Sequence, residues 1–217
     1  GLNMNASSMQ NAKIVMFPEN GKKKGPTFRG NKTISDHLLQ SLLLKNRNYG
    51  LQKILPFSID KINVAEWVSL KCQFGCSQYN TNWCCPPASP DLVKIRAVLQ
   101  EYSQALLLVG SRQCKDFYLN NAKRRAEQVR AWKEVVGIER RLFLEGYDKA
   151  ISLVSGSCAL CKKCTYPNTC RFPQERRPPI EAFSIDLIGT LKNLGLSTPV
   201  AQKPDDSFKY YAIILLE

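Results

Sequence analysis

Nine cysteines and a single histidine are the feature that most constrains this chain. Four cysteines lie within residues 72–85 and four within 158–170, while Cys114 stands alone between them. The start of the sequence lacks the layout of a secretion signal, so tight clusters indicate metal or redox sites in the cytoplasm and not a disulfide framework. Because His37 is the sole histidine, no site can take two histidine ligands from one chain.

The second cysteine group is the stronger signal, with the spacing C-x2-C-x2-C-x5-C. Bacterial ferredoxins hold four-iron clusters with the related run C-x2-C-x2-C-x3-C-P. Three thiolates three residues apart can cap three corners of a cube, whereas zinc sites commonly pair two C-x2-C hooks from opposite sides. The spacing therefore favours an iron–sulfur cluster over zinc. The predicted ligands are Cys158, Cys161, Cys164 and Cys170.

The first cysteine group offers three well-spaced thiols and one ambiguous neighbour. Consecutive residues of an extended chain point to opposite faces, so the pair Cys84-Cys85 is not expected to serve one site. Cys85 precedes a proline and is held extended, which favours it as the third ligand beside Cys72 and Cys76. A four-iron cluster at this site would have one iron without a cysteine ligand. That iron would be exchangeable and held by solvent, a small molecule or a weakly placed side chain. Cys84 and Cys114 remain additional candidates.

Apolar periodicity predicts one α/β layered domain over residues 33–217, preceded by a flexible basic segment at 1–32. Predicted strands lie within 59–70, 105–109, 150–154 and 210–216, and predicted helices lie near 35–48, 90–102, 116–145 and 180–195. This alternation predicts a mostly parallel or mixed sheet with long helices. The cysteine-rich segments 72–87 and 156–173 are then expected to form two cluster-binding loops at one rim of the sheet.

The charge balance predicts an anionic partner. Lysines and arginines number 31 against 18 acidic residues, a formal net charge of +13. Basic residues follow the predicted helix at 116–145, and others crowd the second cysteine group at Lys162, Lys163, Arg171, Arg176 and Arg177. We expect an acidic redox partner protein or a small anionic substrate, with nucleic acid disfavoured. No apolar run reaches 18 residues, so no membrane span is expected.

Several of these motifs together resemble a prokaryotic family of predicted metal-binding proteins of unassigned function. The shared pieces are Trp67–Cys76, Cys85-Pro86-Pro87, the 156–173 segment, and Glu181-Ala182 followed by Ile185-Asp186. The resemblance spans about residues 60–195 and implies iron–sulfur binding in the cytoplasm, often in anaerobic metabolism. It carries over seven ligand positions, Cys72, Cys76, Cys85, Cys158, Cys161, Cys164 and Cys170. Cys84 stands where this pattern leads us to expect another residue, and the family supplies no reaction.

Three functions fit the sequence. The leading hypothesis is a protein with two 4Fe-4S clusters that transfers electrons to a redox partner. The rival is an enzyme whose first cluster lacks a fourth cysteine and binds a substrate at the open iron. The third is a structural zinc module with a basic helix that binds nucleic acid. No paired carboxylates, phosphate loop or nucleophile constellation supports another enzyme class, and the sequence predicts no oligomeric state.

Overall fold

A computed structural model describes residues 33–113, 119–197 and 208–217. Within these ranges the chain forms five α-helices and four β-strands. The helices are α1 (Asp36–Asn46), α2 (Glu66–Gly75), α3 (Leu92–Leu99), α4 (Asn121–Leu144) and α5 (Leu187–Asn193). The strands are β1 (Leu51–Ser58), β2 (Gln104–Arg112), β3 (Ile151–Leu153) and β4 (Phe208–Leu215). Short 3-10 turns span Arg47–Tyr49, Ile59–Lys61 and Glu181–Phe183. The predicted basic segment at 1–32 and Cys114 lie outside the described residues.

The four described strands form one sheet in the order β1-β2-β4-β3, and every neighbouring pair is antiparallel. The predicted mostly parallel or mixed sheet is therefore wrong, although the mixed α/β class holds. The prediction failed because β2 and β4 have continuous apolar sequences, which are typical of parallel strands buried on both faces. Here an antiparallel sheet is covered on both faces, so its central strands carry the same signature.

Two hydrophobic cores lie on the two faces of the sheet. One contains Leu106, Leu108 and Ile214 with residues of α1 and α4, among them Leu42 and Trp132. The other contains the alternate strand residues Leu107 and Ile213, packed against residues of α3, α5 and the turn before α5. Side chains alternate across a strand, so β2 supplies both cores from consecutive positions. The cysteine-rich segments join this frame at the ends of α2, α3 and β3.

The order of elements differs from the prediction in the region before the first cysteine. The chain at 59–70 was predicted to enter the cysteine group as a strand, but Val64 forms only an isolated bridge with Ile185 and α2 begins at Glu66. The strand is β1 instead, which the sequence conceals because Pro56 interrupts its pattern. Proline is tolerated there since β1 lies at the edge of the sheet.

Helix ends follow local capping chemistry. The Ser35 hydroxyl accepts the Leu38 N–H at 3.2 Å and begins α1 as predicted. The predicted helix at 90–102 is α3, but Asp91 caps it in place of Ser89. The helix at 116–145 is α4, which runs through Gly137 without interruption. The helix at 180–195 divides into the Glu181–Phe183 turn and α5, because Asp186 caps a new start. No described helix is both long and apolar enough to cross a membrane.

Candidate metal centre

The first cysteine segment begins on α2, which packs against the Glu181–Phe183 turn. Cys72 lies on the last turns of α2, and Cys76 follows the end of the helix. The Ala65 N–H donates to the Ser184 carbonyl at 2.9 Å, and the Ser69 and Ser184 hydroxyls are 2.6 Å apart. These contacts fix α2, and hence Cys72, against a part of the chain more than one hundred residues away.

The adjacent cysteines are held by a buried asparagine. Asn82 is 2% exposed, and its Oδ1 accepts the backbone N–H groups of Cys84 at 2.9 Å and Cys85 at 3.1 Å. The Asn80 N–H donates to the Pro86 carbonyl at 2.8 Å and closes the loop around the pair. Because a buried amide oxygen is satisfied by both N–H groups, the loop has one defined conformation. Asn82 was not identified from the sequence, where it is one polar residue among several.

The two cysteine segments touch each other directly. The Trp83 indole N–H donates to the Asn168 carbonyl at 2.7 Å, and the Tyr166 hydroxyl donates to the Asn80 Oδ1 at 3.2 Å. The rings of Trp83 and Tyr166 meet edge to face, with centroids 5.0 Å apart. The guanidinium of Arg176 lies over the Trp83 ring, 5.4 Å from the ring centroid. The sequence analysis did not identify this contact, although Trp83 and Tyr166 each lie near cysteines in the sequence.

The structure groups the cysteines differently from the sequence. Cys84 and Cys85 are both buried, but the thiol of Cys84 forms a hydrogen bond with the thiol of Cys158 in the second segment. Cys85 instead lines a cavity together with Cys72 and Cys76. The neighbours in sequence therefore have different surroundings, and Cys84 is the point where the first segment reaches the second.

Backbone amides point at sulfur atoms in the second segment. The Tyr166 N–H donates to Cys164 Sγ at 3.4 Å, and the Phe172 N–H donates to Cys170 Sγ at 3.4 Å. The Leu160 N–H makes the corresponding contact with Cys158. In each case the donor is two residues after the cysteine. N–H groups directed at sulfur are one means by which proteins tune an iron–sulfur cluster. The thiolate is the form of cysteine that binds metal.

Burial and neighbouring groups shift the pKa values of several cysteine thiols. Burial raises the pKa of the Cys85 thiol to about 11, although a hydrogen bond with Asn82 opposes the rise. The pKa of Cys72 is raised by burial first, then by Cys76 and Glu181. The hydrogen bond between Cys84 and Cys158 raises the pKa of the first and lowers that of the second. Positive metal charge reverses such shifts, because a coordinated thiol loses its proton.

The cavity beside the first segment has a volume of about 550 Å³, within the usual range for small-molecule sites. Three cysteines and the carboxyl of Glu181 share its wall with apolar side chains such as Trp67 and Ile185. Protein atoms surround the Glu181 carboxyl and raise its pKa by desolvation, yet the residue remains accessible from the open side. A larger cavity of about 770 Å³, near Phe57 and Tyr102, has no cysteine in its wall.

All eight described cysteines are free thiols. In the described part of the chain, no three cysteine, histidine, aspartate or glutamate side chains converge closely enough to hold a single metal ion. Thiol chemistry and amide-to-sulfur hydrogen bonds fit a metal cluster, whose ligands bind separate irons and need not meet at one point. His37 is exposed in the first turn of α1.

Comparisons with known proteins give one result. Neither the curated proteins nor the solved structures contain a match to the chain. The family described as "Predicted metal-binding protein (DUF2284)" matches residues 56–216, which include every described cysteine and the elements from the end of β1 to β4. The resemblance expected from the sequence is therefore confirmed, and the chain belongs to this family of predicted metal-binding proteins.

Proposed function

We propose that the protein is a cytoplasmic iron–sulfur protein that binds two 4Fe-4S clusters and transfers electrons to an acidic redox partner. The observation that carries the proposal is the set of N–H donors directed at Cys158, Cys164 and Cys170. Hydrogen bonds to sulfur are one of the means by which a protein sets the potential of a cluster. Free thiols at all eight described cysteines agree with a reducing compartment.

The ligands divide between two sites. The second site would use Cys158, Cys161, Cys164 and Cys170, which lie in one short loop between β3 and the Glu181–Phe183 turn. The first site would use Cys72, Cys76 and Cys85, which share one cavity wall. A bound cluster supplies a centre that accepts and releases one electron. The chain supplies the thiolates, the N–H donors and the contact between the Trp83 and Tyr166 rings that joins the two segments.

Positive charge around the second site supports an electron-transfer role. Arg177 is paired with Glu139, and Arg171 donates to the Lys163 carbonyl at 3.1 Å. Lys162 and Lys163 are exposed, and they form no ion pair with any residue that the structure describes. Their charge favours the reduced cluster and raises its potential.

The exposed face of α4 supports an acidic partner. The sequence places Lys123, Arg124, Arg130 and Lys133 on this helix. All of these except the half-buried Arg124 are exposed to solvent, and so is Arg140. Complementary charge accelerates association with a redox protein more than it increases final affinity. Lys133→Glu with Arg140→Glu should slow reduction by an acidic carrier about tenfold at low salt, with the difference shrinking as salt increases. Equal rates at every ionic strength would exclude this docking face.

Metal analysis of protein purified without oxygen tests the proposal. We expect about eight irons and about eight acid-labile sulfides per chain, a brown colour and a paramagnetic reduced state. Zinc in stoichiometric amount with no sulfide would overturn the proposal in favour of a structural zinc protein. The same sample reduced by a low-potential dye should show two spin systems.

The cavity favours a second candidate function, an enzyme that binds a small substrate at the first cluster. About 550 Å³ of space adjoins Cys72, Cys76 and Cys85. Cyanide, a small iron ligand, is the probe: it should alter the spin-resonance spectrum of one cluster and leave the other unchanged. An unaltered spectrum would remove the support for the enzyme.

A further inference from the structure

We infer that Glu181 supplies the fourth ligand of the first site, so that its ligand set is three cysteines and one carboxylate. The inference rests on the proposed function, since it presupposes a cluster at Cys72, Cys76 and Cys85. Three observations carry it: the packing of α2 on the Glu181–Phe183 turn, the shared cavity, and the engagement of the other acidic group in the described part of the cavity wall, Asp186.

The packing of α2 places Glu181 opposite Cys72. Ser69 and Cys72 are three residues apart on α2 and share one helix face. Ser184 ends the 3-10 turn that begins at Glu181. The 2.6 Å contact between the Ser69 and Ser184 hydroxyls therefore holds α2 against this turn, which brings Glu181 into the neighbourhood of Cys72. Electrostatic interaction between Cys72 and Glu181 agrees with this alignment.

The cavity brings the four groups to one space. Cys72, Cys76, Cys85 and Glu181 all line it. Glu181 forms no ion pair with the residues that the structure describes, although the Lys71 side chain lines the same cavity. Glu181 is exposed, so a cation in the cavity can reach it. An iron of the first cluster would be such a cation.

The fourth thiol of the first segment and the second acidic group beside this cavity are already engaged. The Cys84 thiol forms its hydrogen bond with Cys158, outside the cavity wall. Asp186 accepts the Gly189 N–H at 2.9 Å and the Asn63 side-chain amide at 3.0 Å, which caps α5 and ties it to the chain before α2. The Lys71 ammonium lies 5.4 Å from the Trp67 ring and cannot bind a cation. Glu181 is left as the acidic group available to a metal.

An oxygen ligand would give the first cluster a distinct chemistry. Carboxylates are harder donors than thiolates and hold iron of a sulfur cluster less firmly. The iron bound to Glu181 would also face the cavity, where a small molecule can replace the carboxylate. The spacing of the first cysteine group predicts that one iron of its cluster is exchangeable. We assign Glu181 as the side chain that holds this iron.

The test compares three substitutions in the full chain loaded with iron and sulfide without oxygen. Glu181→Gln removes the anionic donor, Glu181→Cys replaces it with a thiolate, and Glu66→Gln is a matched control on the exposed N-terminal turn of α2. We expect Glu181→Gln to release one Fe²⁺ per chain to a chelator at least tenfold faster than the parent. Glu181→Cys should release it more slowly than the parent, and Glu66→Gln should match the parent.

Spin-resonance spectra give a second readout that does not depend on activity. Glu181→Gln should change the spectrum of one cluster only, and Glu181→Cys should restore a full iron count with a shifted spectrum. Identical release rates and spectra in all four proteins would overturn the inference while leaving the clusters in place. A parent protein that binds no iron would instead refute the proposed function. A folded Glu181→Cys with full iron keeps the test valid if Glu181→Gln fails to fold.

Discussion

The two cysteine segments differ in how their surroundings prepare them for a metal. In the second segment the loop itself directs N–H donors at the sulfur atoms of Cys164 and Cys170. In the first segment Cys85 is buried with a raised pKa, and its companions line an open cavity. The second segment is therefore a self-contained site, whereas the first segment depends on groups from elsewhere in the fold.

The segments also differ in how they are fastened to the domain. The loop around the second segment ends at Arg177, whose guanidinium binds the buried Glu139 of α4 through two hydrogen bonds. Glu139 Oε1 also accepts the Ser152 N–H at 2.6 Å, which links α4 to β3. The first segment is fastened by neutral contacts, the Ser69–Ser184 hydroxyl pair among them. A charged network therefore anchors one segment and uncharged hydrogen bonds anchor the other.

Loss of a second-site ligand should have the largest effect. Cys164→Ser is expected to reduce the iron and sulfide content by about half, because one four-iron cluster is lost and the other remains. Metal analysis and the spin-resonance spectrum of the reduced protein measure this directly. Cys161→Ser should give the same result. Loss of all iron from a folded variant would show that the two segments share their ligands.

Removal of the charged anchor should cost the most stability. Glu139→Ala leaves Arg177 buried without its partner and the Ser152 N–H unsatisfied, so the free energy of unfolding should fall by about 3–5 kcal/mol. Glu145→Ala is the control, because its partner Arg141 lies in an exposed ion pair worth about 0–1 kcal/mol. Denaturant unfolding of both variants provides the measurement. Equal losses in the two would contradict the anchoring role of Glu139.

The sequence predicted the parts of the fold that depend on local patterns. Helix α1 begins at Ser35 because a serine hydroxyl caps it, and α4 is long because its apolar stripe continues past Gly137. Strands β2 and β4 were also located, since their apolar runs are continuous. Their antiparallel pairing was not predicted, because burial on both faces looks the same in either sheet type.

The candidate site was predictable only within each cysteine group. Spacing pointed to the second-segment cysteines, because three thiols three residues apart are a local feature. The contact between Cys84 and Cys158, however, joins positions more than seventy residues apart and leaves no trace in local spacing. The approach of Glu181 to Cys72 likewise depends on α2 packing against a distant turn. Long-range contacts of this kind are set by the whole fold.

Charge near the second segment should tune its cluster by a moderate amount. Lys162→Glu with Lys163→Glu should lower the reduction potential of one cluster by on the order of 50 mV at low salt, because negative charge disfavours added electrons. The control, Lys53→Glu with Lys94→Glu, changes the net charge equally at exposed positions outside both cysteine segments. Potentiometric titration followed by spin resonance measures both. Equal shifts in the two variants would show that net charge, and not position, sets the potential.

The neutral anchor of the first segment should give the smallest effect. Ser69→Ala leaves the Ser184 hydroxyl without its 2.6 Å partner, which should cost about 1 kcal/mol of unfolding free energy. Cyanide should then perturb the first cluster more readily, since α2 is less firmly held. The variant Ser103→Ala is the control, because its exposed hydroxyl donates to the Glu217 carbonyl at 2.9 Å, outside both cysteine segments. A loss above about 3 kcal/mol for Ser69→Ala would mean that more than one hydrogen bond was removed.

The central claim is that Cys85 serves the first site, whereas Cys84 contacts the second segment. Replacing each of the two cysteines tests it most directly. Spin-resonance spectra of the reduced protein should be recorded for the parent, Cys84→Ala and Cys85→Ala, each prepared without oxygen. We predict that Cys85→Ala abolishes the signal of the first cluster and leaves the signal of the second intact. Cys84→Ala should alter the signal of the second cluster alone. Loss of the first-cluster signal in Cys84→Ala, with no change in Cys85→Ala, would contradict it.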